Sequence, residues 1–105
     1  MKKSTIKVIA KQPKQPPELR EMPNTLKDFQ AFIGGYIETV TFDFYVLIVD
    51  EEGRLKNLPE NIKHPHLFAP IVGNLIICGH DGEEFSDIDE DIADLLMKKL
   101  NLWAL

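Results

Sequence analysis

The chain has 105 residues, 44% of them hydrophobic and 28% charged, with a net charge of −5. That length holds one domain, residues 1–105, around one economical core, and the composition excludes a disordered or fibrous chain. The acidic balance speaks against general nucleic-acid binding and against anionic membrane surfaces, while the single cysteine, Cys78, excludes an intramolecular disulfide and fits a reducing cytoplasm.

Met1, Lys2, Lys3 and Ser4 are basic like the start of a signal peptide, but no unbroken apolar run follows them. The apolar runs at 45–49 and 75–78 are too short to span a bilayer. A cytoplasmic protein is expected.

Residues 4–11 alternate, with Ile6, Val8 and Ala10 on one side and Lys7 and Lys11 on the other. This spacing predicts a strand, and Ile9 on the polar side predicts partial cover of its second face. Residues 12–23 form a proline-rich connector with Pro13, Pro16, Pro17 and Pro23, compatible with a short edge strand at 18–22. A first helix is predicted over 25–33, with Asn24 as N-cap and Leu26, Phe29, Phe32 and Ile33 as its apolar face. Gly34 and Gly35 end it.

Residues 36–49 read as two strands broken near Asp43, and 45–49 as the centre of the sheet. A turn follows at 50–54, then a short returning strand at 55–58. Residues 59–70 are expected to be irregular, with Pro59, Pro65 and Pro70 along them. Residues 71–78 form one apolar strand interrupted by Gly73, the mark of a bulge or a close backbone approach. A turn at 79–82 leads to an edge strand at 83–85. A second helix is predicted over 89–100, with an apolar stripe of Ile88, Ile92, Leu95, Leu96 and Leu100. Its acids Asp89, Glu90 and Asp91 come first and Lys98 and Lys99 last, the order the helix dipole favours. Trp103 and Leu105 are expected to pack the tail down.

The predicted order is β-α-β-β-β-β-α. It describes an α+β fold with a mainly antiparallel sheet of about five strands and two helices.

Helix-ending Gly34-Gly35-Tyr36-Ile37-Glu38, then Asp50-Glu51-Glu52-Gly53-Arg54-Leu55, Leu58-Pro59-Glu60-Asn61 and the run from Ile71 to Gly79 together carry a family resemblance. The chain resembles the domain of unknown function 3846 family, short proteins of phages, plasmids and conjugative elements. Members often follow the asparagine with arginine, whereas Ile62 and Lys63 follow here. The resemblance implies an accessory protein of a mobile element and supplies no catalytic residue.

Several residue groups are candidates for chemistry. His64 and His66 flank Pro65, and His80 lies near Cys78. Positions two apart in an extended segment point the same way, so two imidazoles can meet one metal. The spacing matches no strong zinc signature, and surface histidines are the plainer reading. Cys78 with His80 is a candidate nucleophile pair, against a small buried thiol ending an apolar run. Gly34-Gly35 follows a helix instead of opening one, so no phosphate cradle is expected.

Residues 81–94 hold eight acids and no base. Such a face can stand in for DNA phosphates, or simply be a solvated helix start. Tyr36 and Phe68 are the aromatics best placed for an exposed surface, the alternative being core packing.

The expected function is non-catalytic: an accessory protein of a phage or mobile element that binds a host or defence protein, with anti-defence as the specific case. The candidate binding residues are Tyr36, Glu38, Asn57, Asn61, Lys63, Asp89, Glu90 and Asp91. No metal, cofactor, nucleic acid or membrane is expected, and exposed sheet edges make a homodimer an open expectation. The alternative is a small-ligand or nucleotide-sequestering protein, with Asn57, Asn61, Lys63, His64 and His66 lining its pocket.

Overall fold

A computed structural model describes residues 4–105; Met1, Lys2 and Lys3 lie outside the described residues. The first strand, β1 (Thr5–Lys11), pairs with β2 (Glu18–Pro23), which is the edge strand expected within the proline-rich connector. Next come helix α1 (Leu26–Ile33) and the hairpin of β3 (Ile37–Thr41) and β4 (Val46–Asp50). Short strands β5 (Glu60–Ile62) and β6 (Ile71–Val72) pair with each other as a separate small sheet. Then follow β7 (Leu75–Asp81), β8 (Glu84–Ser86) and helix α2 (Glu90–Trp103).

The main sheet has the order β2-β1-β7-β4-β3, with β8 also paired to β7. All these pairings are antiparallel. The protein is therefore α+β, with two helices and a mainly antiparallel sheet.

Alternation along the central strands builds two cores, one on each face. Val46, Ile48, Ile76 and Cys78 join Ile6, Val8, Phe29 and Ile33 under α1. Leu47, Ile77 and Leu75 join Ile9 and, from the other layer, Ile62, Ile71, Leu96 and Leu100. The runs at 46–49 and 75–78 are continuously apolar because their strands are covered on both faces.

Local chemistry shifts several predicted boundaries. Thr25, not Asn24, caps α1: its Oγ1 accepts the Asp28 N–H at 3.1 Å. Asn24 is buried instead and donates through Nδ2 to the Phe85 carbonyl at 3.3 Å. Leu26 is exposed. The strand expected at 55–58 is a run of turns, because the Asp50 carboxylate accepts the Glu52 N–H and Asn57 adopts a left-handed φ of 58°. Residues 59–70 are not wholly irregular, since β5 forms within them.

The strand expected at 71–78 is two strands in two sheets. Gly73, at φ 78°, turns the chain between them, and a Cβ there would meet the Leu58 side chain at 2.7 Å. The turn expected at 79–82 comes later, because β7 runs on to Asp81. Helix α2 extends one turn beyond Leu100, so Lys98 and Lys99 do not sit in its last turn. Ala93 takes a buried place on its inner face, and Leu95 is exposed. The tail is held as expected at Trp103, whose carbonyl accepts the Lys63 N–H at 3.0 Å. Leu105 is anchored through its backbone N–H to the Asn61 carbonyl, while its side chain is exposed.

One polar link crosses the layers. The alternation that buries Ile9 also buries Lys11, which is 2% exposed, and its partner Asn61 is 0% exposed. Lys11 Nζ donates to Asn61 Oδ1 at 2.7 Å. Asn61 Nδ2 donates to the carbonyls of Lys11 at 2.9 Å and Gly73 at 2.8 Å. Burial, and then the nearby Lys14 charge, pull the Lys11 pKa below its usual value.

Replacing Asn61 with alanine leaves the buried Lys11 ammonium only the Gln12 carbonyl at 3.4 Å and removes the amide from the carbonyls of Lys11 and Gly73. We expect Asn61→Ala to lower the unfolding free energy by about 3 kcal/mol in urea titrations, the usual range for unpairing buried groups that include a charge.

Candidate functional site

A groove of about 340 Å³ lies at the β3 end of the sheet. Val40 and Val49 of the hairpin and Ile71 and Val72 of the small sheet line it. Arg54 and Leu55 from the turn after β4 form one wall, and Leu67 to Pro70 form another. Phe68 is fully exposed and Leu55 is 85% exposed. These two large apolar side chains stand in water beside the apolar floor of the groove.

Both walls are braced. Asp50 is buried at the end of β4, where its Oδ1 accepts the Glu52 N–H and its Oδ2 pairs with Lys56 Nζ, each at 2.8 Å. Lys56 also donates to the Gly34 carbonyl at 3.2 Å. A Cβ on Gly35 would meet Lys56 Nζ, so a larger residue there would displace the ammonium from Asp50. Arg54 donates to the Pro70 carbonyl and so joins the two walls.

The second wall hangs from His64. Its ring stacks on Phe42 at 4.6 Å and lies 4.8 Å from the Trp103 ring. The His66 N–H donates to His64 Nδ1 at 3.0 Å, so Nδ1 is the unprotonated nitrogen. The proton therefore sits on Nε2, which donates to the Tyr45 hydroxyl at 2.8 Å. Burial, with His66 and Lys63 nearby, lowers the His64 pKa from 6.5. Lys63 Nζ donates to the carbonyls of His64 and Leu67 and closes the loop base.

The groups read as candidates for catalysis are committed elsewhere. Cys78 is buried in the core under α1, and burial pushes its thiol up to about 12. His80 Nε2 donates to the Phe42 carbonyl at 2.9 Å. Among the described residues, no three of the histidine, cysteine, aspartate and glutamate side chains are placed to hold a metal ion.

A family model for the domain of unknown function DUF3846 matches residues 6–101. The chain belongs to this family. The DUF3846 match runs from β1 into α2 and contains the whole groove, both braced walls and the β3 edge. No curated protein and no solved structure matches the chain. Among the described residues, no helix is long and apolar enough to cross a membrane.

The candidate binding residues of this DUF3846 member are dispersed. Glu38 lines the groove, and Tyr36 is exposed just before β3. Asn57 holds the left-handed turn position. Asn61 is interior and bonded to Lys11, and Lys63 closes the loop base. Asp89 caps α2 by accepting the N–H groups of Asp91 and Ile92, while Glu90 and Asp91 are exposed in its first turn. None of the three acids lines the groove. Leu55 and Arg54 were absent from the sequence-derived set, because nothing local distinguishes an exposed turn leucine from a strand leucine.

Two measurements test these assignments. His64 is held neutral in the fold, so between its lowered pKa and 6.5 the unfolded chain binds more protons. Stability should fall as the solution is acidified from about pH 7 to about pH 5.5, and His64→Gln should flatten that slope in thermal melts. Cys78 should resist iodoacetamide in the native protein and react on the order of 100-fold faster in urea.

Proposed function

We propose that this protein is a non-catalytic accessory protein of a phage or other mobile element that binds a host or defence protein in the bacterial cytoplasm. The groove beside β3 is its binding surface, and anti-defence is its specific role. The observation that carries this reading is the pair of exposed apolar side chains, Phe68 and Leu55, on two braced walls around an apolar floor. Burying such side chains against a partner contributes roughly 25 cal/mol per Å² of apolar surface. The family resemblance supports the mobile-element setting.

The nucleotide-sequestering alternative receives less support. Asn61 and His64 are interior, and the Lys63 ammonium is taken by carbonyls. Glu38 and Glu51 border the groove, and carboxylates disfavour a phosphate ligand.

The test is affinity capture of the tagged full chain from a bacterial lysate. One protein should be retained in stoichiometric amount. Phe68→Asp and Leu55→Asp should each reduce it about tenfold without lowering the melting temperature, since both side chains are exposed. A nucleotide released from the purified chain, with no protein retained, would overturn the reading in favour of the ligand-binding alternative.

A further inference from the structure

We propose that β3 and the groove together take an extended segment of a protein partner as an added strand. The segment places a lysine or arginine opposite Glu38 and a large apolar side chain opposite Val40. This rests on the protein-binding reading above and specifies its partner.

Hydrogen-bond parity shows which backbone groups are open. The Glu51 N–H donates to the Tyr36 carbonyl, and the Phe42 N–H donates to the Tyr45 carbonyl. In the β3–β4 register these fix 36, 38, 40 and 42 as the residues bonded to β4. The N–H and C=O groups of Ile37, Thr39 and Thr41 therefore point to the outer side of β3, the last strand in the sheet.

The side chains alternate the other way. Ile37 packs on the α1 face, while Val40 packs into the opposite core and lines the groove with Glu38. A strand bonded to 37, 39 and 41 faces Glu38 and Val40 in non-hydrogen-bonded pairs, where opposing side chains come closest. Its groove-side residues then fall beside Phe68 and Leu55.

The two sheet edges differ in protection. The β2 edge carries Glu18, Arg20 and Glu21 and ends in Pro23, the charges and proline that discourage pairing. The β3 edge has one charge, Glu38, among Ile37, Thr39, Val40 and Thr41. Tyr36, 66% exposed, and Phe44, 69% exposed, flank it.

Charge selects the occupant. Among the described residues, neither Glu38 nor Glu51 has an ion-pair partner. A basic side chain in the added strand supplies one. A second copy does not, because β3 carries no base and pairing two copies would bring both Glu38 carboxylates to one groove.

The probe is a library of random twelve-residue peptides displayed on phage and selected on the intact protein. Enriched peptides should share a lysine or arginine two residues from a leucine, isoleucine, valine or phenylalanine. A bound peptide should protect the amides of Ile37, Thr39 and Thr41 from hydrogen exchange. Thr39→Pro removes an outward N–H without touching the β4 ladder and should weaken binding at least about tenfold. Glu38→Lys should weaken it about fivefold, and a peptide with glutamate in place of its base should restore it.

No enrichment, acidic enriched peptides, or equal binding by Thr39→Pro would overturn strand addition. A wild-type dimer that Thr39→Pro dissociates in sedimentation would assign the edge to a second copy instead. Lysate capture separates the two readings. A partner lost with Phe68→Asp but kept with Thr39→Pro leaves protein binding standing without strand addition.

Discussion

The hydrogen-bonded pair of Lys11 and Asn61 joins the main sheet to the small β5–β6 sheet, and the placement of the groove walls depends on that join. A lysine at this position of β1 is driven inward by the same alternation that buries Ile9. An isolated buried ammonium is strongly unfavourable, so its partner is under tight constraint. Asparagine satisfies it without adding a second buried charge. Its amide also takes the carbonyls of Lys11 and Gly73, where β6 ends and β7 begins. One side chain thereby positions β5, the glycine turn and the start of the loop that carries Phe68.

Exposed apolar side chains are stable in place only when the backbone beneath them is held by other interactions. Here two unlike devices hold it. Asp50, Lys56 and Gly35 form a compact electrostatic joint under the turn that carries Leu55. His64 sits in an aromatic box under the loop that carries Phe68, with its tautomer set by the His66 N–H and the Tyr45 hydroxyl. The Arg54 bond to the Pro70 carbonyl spans them. A preordered surface of this kind loses little conformational entropy on association.

Residues that resemble catalytic machinery hold structural places in the fold. The His-x-His pair is a loop anchor, His80 holds the hairpin turn at Phe42, and Cys78 fills the core beneath α1. Burial disfavours both the Cys78 thiolate and the His64 imidazolium. The DUF3846 match covers this entire arrangement and describes a domain of unknown function.

The alternation at 4–11, the continuous apolar run at 45–49, the glycines closing α1 and the acids opening α2 were legible because each depends on neighbours within a few residues. With the prolines of 12–23, these features were enough for the α+β class, both helices and the β2 edge. The same local logic misplaced the cap at Asn24, since burial against Phe85 outweighs capping there. It joined 71–78 into one strand, since nothing nearby shows that Gly73 passes Leu58 and sends the two halves into different sheets. It left Asn61 on the surface, because Lys11, fifty residues away, is the group that draws it inside. Burial and partnership are properties of segments brought together from distant parts of the chain. The groove, the open backbone groups of β3 and the neutral state of His64 therefore follow from packing rather than from any local run of residues.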